Sequence, residues 1–142
     1  MYAVVKKIRF CYGHRLMDYQ GNCARLHGHN AVAEIRVSAP LLNRTGMVVD
    51  FGEIAAGLEN FIQTRLDHQM LLRRDDPAAQ ALTEAGEPIV LLDENPTAEC
   101  IARLIFEEAA RSGLAVESVR LWETDDSWAE YRTAAPPAEE SR

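Results

Sequence analysis

The chain has 142 residues, 47% of them hydrophobic and 26% charged, with a formal net charge of −7; this is the balance of an ordinary globular domain able to bury one core of its own. The acidic excess excludes a general attraction to nucleic acid or to an anionic membrane, so any anionic ligand must be met by a local cluster of cations. No apolar run approaches the roughly 20 residues of a membrane span, Met1 leads straight into mixed residues, and Cys11, Cys23 and Cys100 are too sparse and odd a set for a disulfide framework, so a cytoplasmic protein with free thiols is expected.

From Tyr2 to Phe10 the apolar residues Tyr2, Val4, Ile8 and Phe10 share one parity, while Lys7 and Arg9 take the other and Lys6 interrupts the apolar side. That period of two predicts a half-buried strand. A second strand is expected over 30–38, where Ala31, Ala33, Ile35 and Val37 alternate with Glu34 and Arg36 ahead of Pro40. After the turn at Asn43 to Gly46, Asp50 is placed to cap a helix with Glu53 at the capping-box position. Ile54, Leu58, Phe61, Ile62 and Leu66 fall on one stripe of that helix, which is expected to end near Asp67 and His68.

Residues 73–95, with Asp75, Asp76, Pro77, Gly86 and Pro88, read as a long loop with minor structure. Asn95 and Pro96 suit the cap and first turn of a second helix, with Ile101, Leu104 and Ile105 as its stripe and Gly113 as its stop. A strand over 116–124 puts Glu123 on the side of Val119 and Leu121, the segment 128–131 returns as a fourth strand, and 132–142 reads as a flexible tail. The order ββααββ gives an α+β domain over 1–131, a four-stranded antiparallel sheet with two helices on one face. The other face then has no element left to cover it, and a second copy of the chain is a natural cover.

All four histidines lie in three short segments: His14 after the first strand, His27 and His29 before the second, and His68 after the first helix. On extended backbone His27 and His29 project from one face, and His14 can add a third nitrogen. Three neutral imidazoles suit Zn²⁺ and leave its fourth position for water or substrate; separate surface or core histidines are the plain alternative. Cys23, four residues before His27, could close such a site as a fourth ligand or act beside it as a base, with Asp67 and His68 as a proton-shuttling partner. Asp67 and His68 would otherwise be a solvated helix end. Glu123 on an apolar face would be costly unpaired, and a ligand with N–H donors would explain it. Cys11 and Cys100 read as small buried apolar residues.

Taken together, Cys23-Ala-Arg-Leu-His27-Gly-His29-Asn30, Thr45-Gly-Met-Val-Val-Asp50-Phe51, Leu66-Asp67-His68, Asn95-Pro-Thr97-Ala-Glu99 and Trp122-Glu123-Thr124 resemble the 6-pyruvoyl-tetrahydropterin synthase family. Within it the three-residue gap between Cys23 and His27 is similar to that of the 6-carboxy-5,6,7,8-tetrahydropterin synthases of queuosine biosynthesis. The resemblance implies a tunnelling fold whose subunits close a barrel as trimers stacked into a hexamer, and zinc on His14, His27 and His29. It further implies Cys23 as the proton-abstracting base, Asp67 and His68 as its relay, and Glu123 as the anchor of the pterin ring with Thr97 and Glu99 nearby. The implied substrate is 7,8-dihydroneopterin triphosphate, with no nucleic-acid or membrane partner; the pyruvoyl-forming reaction and a non-catalytic zinc or pterin-binding module are the alternatives. Arg25, Arg15 and the cluster Lys6, Lys7 and Arg9 are candidate cations for the triphosphate. Two departures stand out: Cys11-Tyr12-Gly13 replaces the small residues usual before the first zinc histidine, and the 73–94 segment is longer than in compact members.

Overall fold

A computed structural model describes residues 1–134. Its elements are β1 (Tyr2–His14), a 3-10 turn (Asn22–Ala24), β2 (His27–Ala39), α1 (Phe51–Arg65), β3 (Gln69–Arg73), α2 (Ala78–Glu84), β4 (Ile89–Leu92), α3 (Ala98–Arg111), β5 (Val116–Trp122) and β6 (Trp128–Arg132). The strands form one six-stranded mixed sheet in the order β4-β3-β1-β2-β5-β6. Arg132 closes β6, and of the tail expected from there on, 135–142 lie outside the described residues.

The expected four-stranded antiparallel sheet is present as β1, β2, β5 and β6, but it is not the whole sheet. Residues 73–95 are not a loop. With residues 69–72 they form a strand–helix–strand unit in which β3 runs parallel to β1 (Tyr12 opposite Gln69, His14 opposite Leu71) and β4 parallel to β3 (Met70 opposite Ile89, Arg73 opposite Leu92). The strands have five and four residues and the helix seven, too short for any periodicity to emerge from the sequence. What holds the unit down is Leu71 and Leu72, both fully buried, each worth roughly 1.5–3 kcal/mol of apolar burial. The element order is therefore ββαβαβαββ, with three helices where two were expected.

β1 and β2 pair antiparallel along their whole length, from Tyr2 opposite Ala39 to His14 opposite His27. Both run further than their apolar patterns suggested, because their shared end is polar in sequence yet hydrogen-bonded as sheet. Ile8, Phe10 and Tyr12 on β1 and Ala31, Ala33, Ile35 and Val37 on β2 point into one core with Ile54, Leu58 and Ile62 of α1 and Ile101, Ile105 and Ala109 of α3. The opposite face leaves Val5, Lys7, Arg9 and Arg36 exposed, as expected of a sheet with one wet side.

Helix starts differ in an informative way. Asp50 caps α1 as expected, accepting the Gly52 N–H at 2.6 Å. The cap of α3 is Thr97, whose hydroxyl accepts the Cys100 N–H at 3.3 Å, and not Asn95. Asn95 is engaged elsewhere: its side chain accepts the Met17 N–H and donates to the Met17 carbonyl, both at 2.8 Å. β5 stops at Trp122, short of the expected Thr124, because the Glu123 N–H turns to the Ser127 carbonyl at 3.2 Å. Among the described residues no helix is long and apolar enough to cross a membrane.

Candidate metal centre and substrate cavity

The three histidines converge because of strand parity. His14 continues the inward face of β1 beyond Phe10 and Tyr12, and His27 and His29 continue the inward face of β2 beyond Ala31. His14 and His27 are direct cross-strand partners and His29 faces Tyr12. Gly28 permits the close approach, since a Cβ there would lie 2.9 Å from the Tyr12 carbonyl oxygen. One nitrogen from each ring lies within 4.8 Å of the other two, and the ring centroids are 4.5 to 5.1 Å apart.

The outer nitrogens are already assigned. His14 Nδ1 lies 2.6 Å from the Pro96 carbonyl and His27 Nδ1 lies 2.7 Å from the Arg25 carbonyl. A carbonyl can only accept, so both rings donate from Nδ1, which leaves Nε2 as the nitrogen able to ligate, the arrangement typical of metal-ligating histidine. His14 Nε2 and His29 Nε2 are 3.1 Å apart, close to the edge of a tetrahedron of nitrogens about 2.0–2.1 Å from a common ion. The donor set fits a divalent metal. Burial holds the His14 imidazole below its ordinary value, with the Pro96 carbonyl and the Glu123 carboxylate opposing, so the ring stays neutral and available as a ligand.

Glu123 faces the same point. Its Oε1 is 3.6 Å from His14 Nε2 and 3.7 Å from His29 Nε2, and it accepts a hydrogen bond from the Tyr12 hydroxyl at 2.7 Å. The inward carboxylate thus has a donor within its own chain. Tyr12 is 3% exposed, and burial together with the Glu123 hydrogen bond pushes its phenol far above the ordinary value. Sequence reading missed Tyr12 because the apolar pattern stopped at Phe10; the signal available was its parity with Ile8, Phe10 and His14.

His14, His29 and Glu123 line a cavity of about 370 Å³ whose wall also carries Cys23, Thr97, Glu99 and Trp128. The structure therefore brings Cys23 to the histidines, on the 3-10 turn before β2. Among the described residues two groups have ligand atoms close enough for a metal, His14 with His27 and His29, and Cys11 with Asp67 and His68; Cys23 belongs to neither, which favours a thiol beside the histidine centre over a fourth ligand.

Asp67 and His68 lie elsewhere. Asp67 accepts the Cys11 N–H at 2.9 Å through one oxygen and contacts His68 Nδ1 at 2.8 Å through the other. His68 takes φ 57° and donates its N–H to the Cys11 carbonyl at 2.7 Å, and its side chain is 78% exposed. Burial alone would raise the Asp67 carboxyl, but the Cys11 N–H and His68 more than offset it and hold the group below its ordinary value. Cys11 alternates with Tyr12 along β1, so its side chain points to the face opposite His14. Within one chain the pair does not line the Cys23 cavity.

Of the candidate cations, Arg15 is engaged in a two-point ion pair with buried Asp76, and that corrects its assignment to an anionic substrate. Lys7 pairs with Glu34 at 3.6 Å. Lys7 and Arg9 line a separate cavity of about 390 Å³ with Asn30, Trp122 and Asp125, while Arg25 is exposed. Cys11 and Cys100 are half-buried free thiols, not buried apolar filler, and Cys100 donates to Glu94 at 3.2 Å.

A mixed sheet carries three converging imidazoles beside a cavity lined by a thiol and a carboxylate, and comparison with known proteins identifies the family. The profile of 6-pyruvoyl tetrahydropterin synthase matches residues 3–134, and the chain belongs to that family. It is 34% identical over 137 residues to the 6-carboxy-5,6,7,8-tetrahydropterin synthase of Rickettsia conorii, covering 92% of this chain and 99% of the relative. With the protein of that name from Synechocystis it shares 32% identity over 136 residues, 92% of this chain and 93% of the relative. Among solved structures, an uncharacterized protein of Wolinella succinogenes superposes with a TM-score of 0.79 at 26% identity, over 94% of this chain and 98% of that one. The 6-pyruvoyl tetrahydropterin synthase of Caenorhabditis elegans shares the fold with a TM-score of 0.69 at 18% identity, over 94% and 96% of the two chains.

Proposed function

We propose that the protein is a zinc-dependent carbon–oxygen lyase of the cytoplasm that converts 7,8-dihydroneopterin triphosphate to 6-carboxy-5,6,7,8-tetrahydropterin, releasing acetaldehyde and triphosphate, in the branch leading to queuosine-type deazapurines. The observation that carries it is the convergence of His14, His27 and His29 beside a cavity whose wall holds Cys23 and Glu123. Its curated relatives at about a third identity bear the 6-carboxy name.

His14, His27 and His29 would hold the zinc, which when bound polarises the side-chain hydroxyls of the substrate and makes a neighbouring C–H acidic. Glu123 anchors the pterin ring: its carboxylate accepts N–H donors from the ring, while the Tyr12 hydroxyl fixes the orientation of Oε1. Thr97 and Glu99 complete the wall on that side. Cys23 takes the proton from carbon. Asp67 and His68 are its relay, and because they sit by the opposite sheet face they meet Cys23 only across a contact between copies. That placement supports a homo-oligomeric enzyme, a trimer stacked to a hexamer, whose subunits also cover the bare sheet face. Arg25 is a candidate for the triphosphate alongside Lys6, Lys7 and Arg9; if Arg25→Ala leaves the preference for the triphosphate over unphosphorylated dihydroneopterin unchanged, that role is lost.

Incubating metal-quantified protein with 7,8-dihydroneopterin triphosphate, followed by mass spectrometry of the pterin and an acetaldehyde assay, tests the reading. Carboxy-tetrahydropterin with acetaldehyde supports it. A pyruvoyl product moves the protein to the sister reaction, and zinc without turnover points to a binding module.

A further inference from the structure

Cys23 sits on the segment joining β1 to β2, and three residues at the start of that segment are each fastened to the 73–95 unit. Arg15 directs Nε to Asp76 Oδ2 at 2.7 Å and Nη2 to Oδ1, and the Asp76 side chain is fully shielded from solvent. Asp76 is itself fixed, accepting the Ala78 N–H and donating its own N–H to the Arg73 carbonyl, both at 2.8 Å. Arg73 reaches Asp18 at 2.9 Å. Asn95 holds Met17 by both its N–H and its carbonyl. Between these anchors the Leu16 N–H donates to the Cys23 carbonyl at 2.8 Å, so whatever fixes residues 15–18 fixes the backbone of the cysteine. The next residue after Asn95 is Pro96, whose carbonyl orients His14.

We propose that the Arg15–Asp76 ion pair, supported by Asn95, is the positioning device that holds the Cys23 thiol in register with the histidine centre. It rests on the reading of Cys23 as the proton acceptor. A planar guanidinium gripping a carboxylate at two points sets direction as well as distance, and inside a shielded site losing one partner leaves the other charge uncompensated. A misplacement of about 1 Å at a reacting group costs on the order of 100-fold in rate. The 73–95 unit is thereby a brace for the catalytic segment, and Arg15 is a positioning residue, not a contact to substrate.

The test uses the zinc-loaded protein in a Cys11→Ser, Cys100→Ser background, so that Cys23 is the only thiol, and reads kcat, KM, zinc content and the rate of Cys23 alkylation by iodoacetamide. Arg15→Lys keeps the charge and loses the fork; Asp76→Asn keeps the shape and loses the charge. Both are expected to retain about one zinc per chain, to hold KM within about two-fold, and to lower kcat about 10- to 100-fold, with an alkylation rate changed by a similar direction-independent margin. The exchanged pair, Arg15→Asp with Asp76→Arg, is expected to recover part of both. Unchanged kcat and alkylation in Arg15→Lys, the mildest change, overturn the proposal, as does a fall in kcat that tracks zinc loss alone. If Cys23→Ala keeps full turnover, the proton-acceptor reading fails instead, and alkylation still reports whether the brace sets the thiol.

Discussion

The chain carries two histidine-bearing groups that differ in nearly every physical respect. His14, His27 and His29 hang from paired strands, the outer nitrogens of His14 and His27 are held by carbonyls, and the three rings converge within one chain. Asp67 and His68 occupy the turn after α1, lie by Cys11 toward the opposite face, and leave the imidazole 78% exposed. The first group is preorganised within one chain, by strand pairing and by the carbonyls of Pro96 and Arg25. The second leaves its imidazole open to solvent, although its backbone is locked: a residue held at positive φ by a 2.7 Å hydrogen bond is not a frayed helix end.

The sharpest way to break this contrast is at the first group. His27→Ala is expected to reduce bound zinc from about one per chain to near zero and to abolish turnover, read by elemental analysis and product formation. Cys23→Ala should spare zinc and lower kcat by about 10³-fold, within the usual range for a lost proton-transfer group; zinc loss would instead make Cys23 a ligand. For the second group, His68→Ala should lower kcat about 100-fold with zinc unchanged. If the pair serves a neighbouring copy, mixing the inactive Cys23→Ala and His68→Ala chains and reassembling them restores part of the activity, whereas no recovery would confine the pair to its own chain.

Smaller effects probe the surroundings. Low pH should destabilise the metal-free protein through His14: burial lowers its value in the folded state, so below about pH 6.5 the unfolded chain takes up a proton that the folded chain does not. Stability is full above that pH and declines as pH falls, by at most about 1.4 kcal/mol per unit for one proton, visible as a falling melting temperature that zinc suppresses. Tyr12→Phe removes the donor to Glu123 and should cost about 1 kcal/mol of stability while raising KM a few-fold, read by thermal melts and steady-state kinetics.

The antiparallel half of the fold was legible because alternation over Ala31 to Val37 and the stripe from Ile54 to Leu66 each repeat several times, and repetition is what distinguishes a strand or helix from chance. β3, α2 and β4 repeat nothing: four to seven residues each, they depend on burying Leu71 and Leu72 beneath contacts that form only in the folded chain. The same distinction applies at the site. The His27-Gly-His29 spacing states a shared face directly, and the parity of Glu123 states an inward carboxylate. Nothing local marks Tyr12 as its donor, because the pairing spans 111 positions, or Asn95 as an anchor for Met17 instead of a helix cap. Arg15 looked like a free cation since its partner Asp76 lies 61 positions away.

The histidine hairpin has one more implication, for the order in which the protein assembles. All three imidazoles lie within Tyr2–Ala39, whose strands pair with each other, whereas Glu123 reaches the cavity only after β5 has paired with β2 at Val32 and Trp122. Local pairings close before distant ones. On a chain emerging from the ribosome the strands that carry the three imidazoles therefore come together before the wall that bears Glu123, and the Pro96 carbonyl that orients His14 arrives between the two.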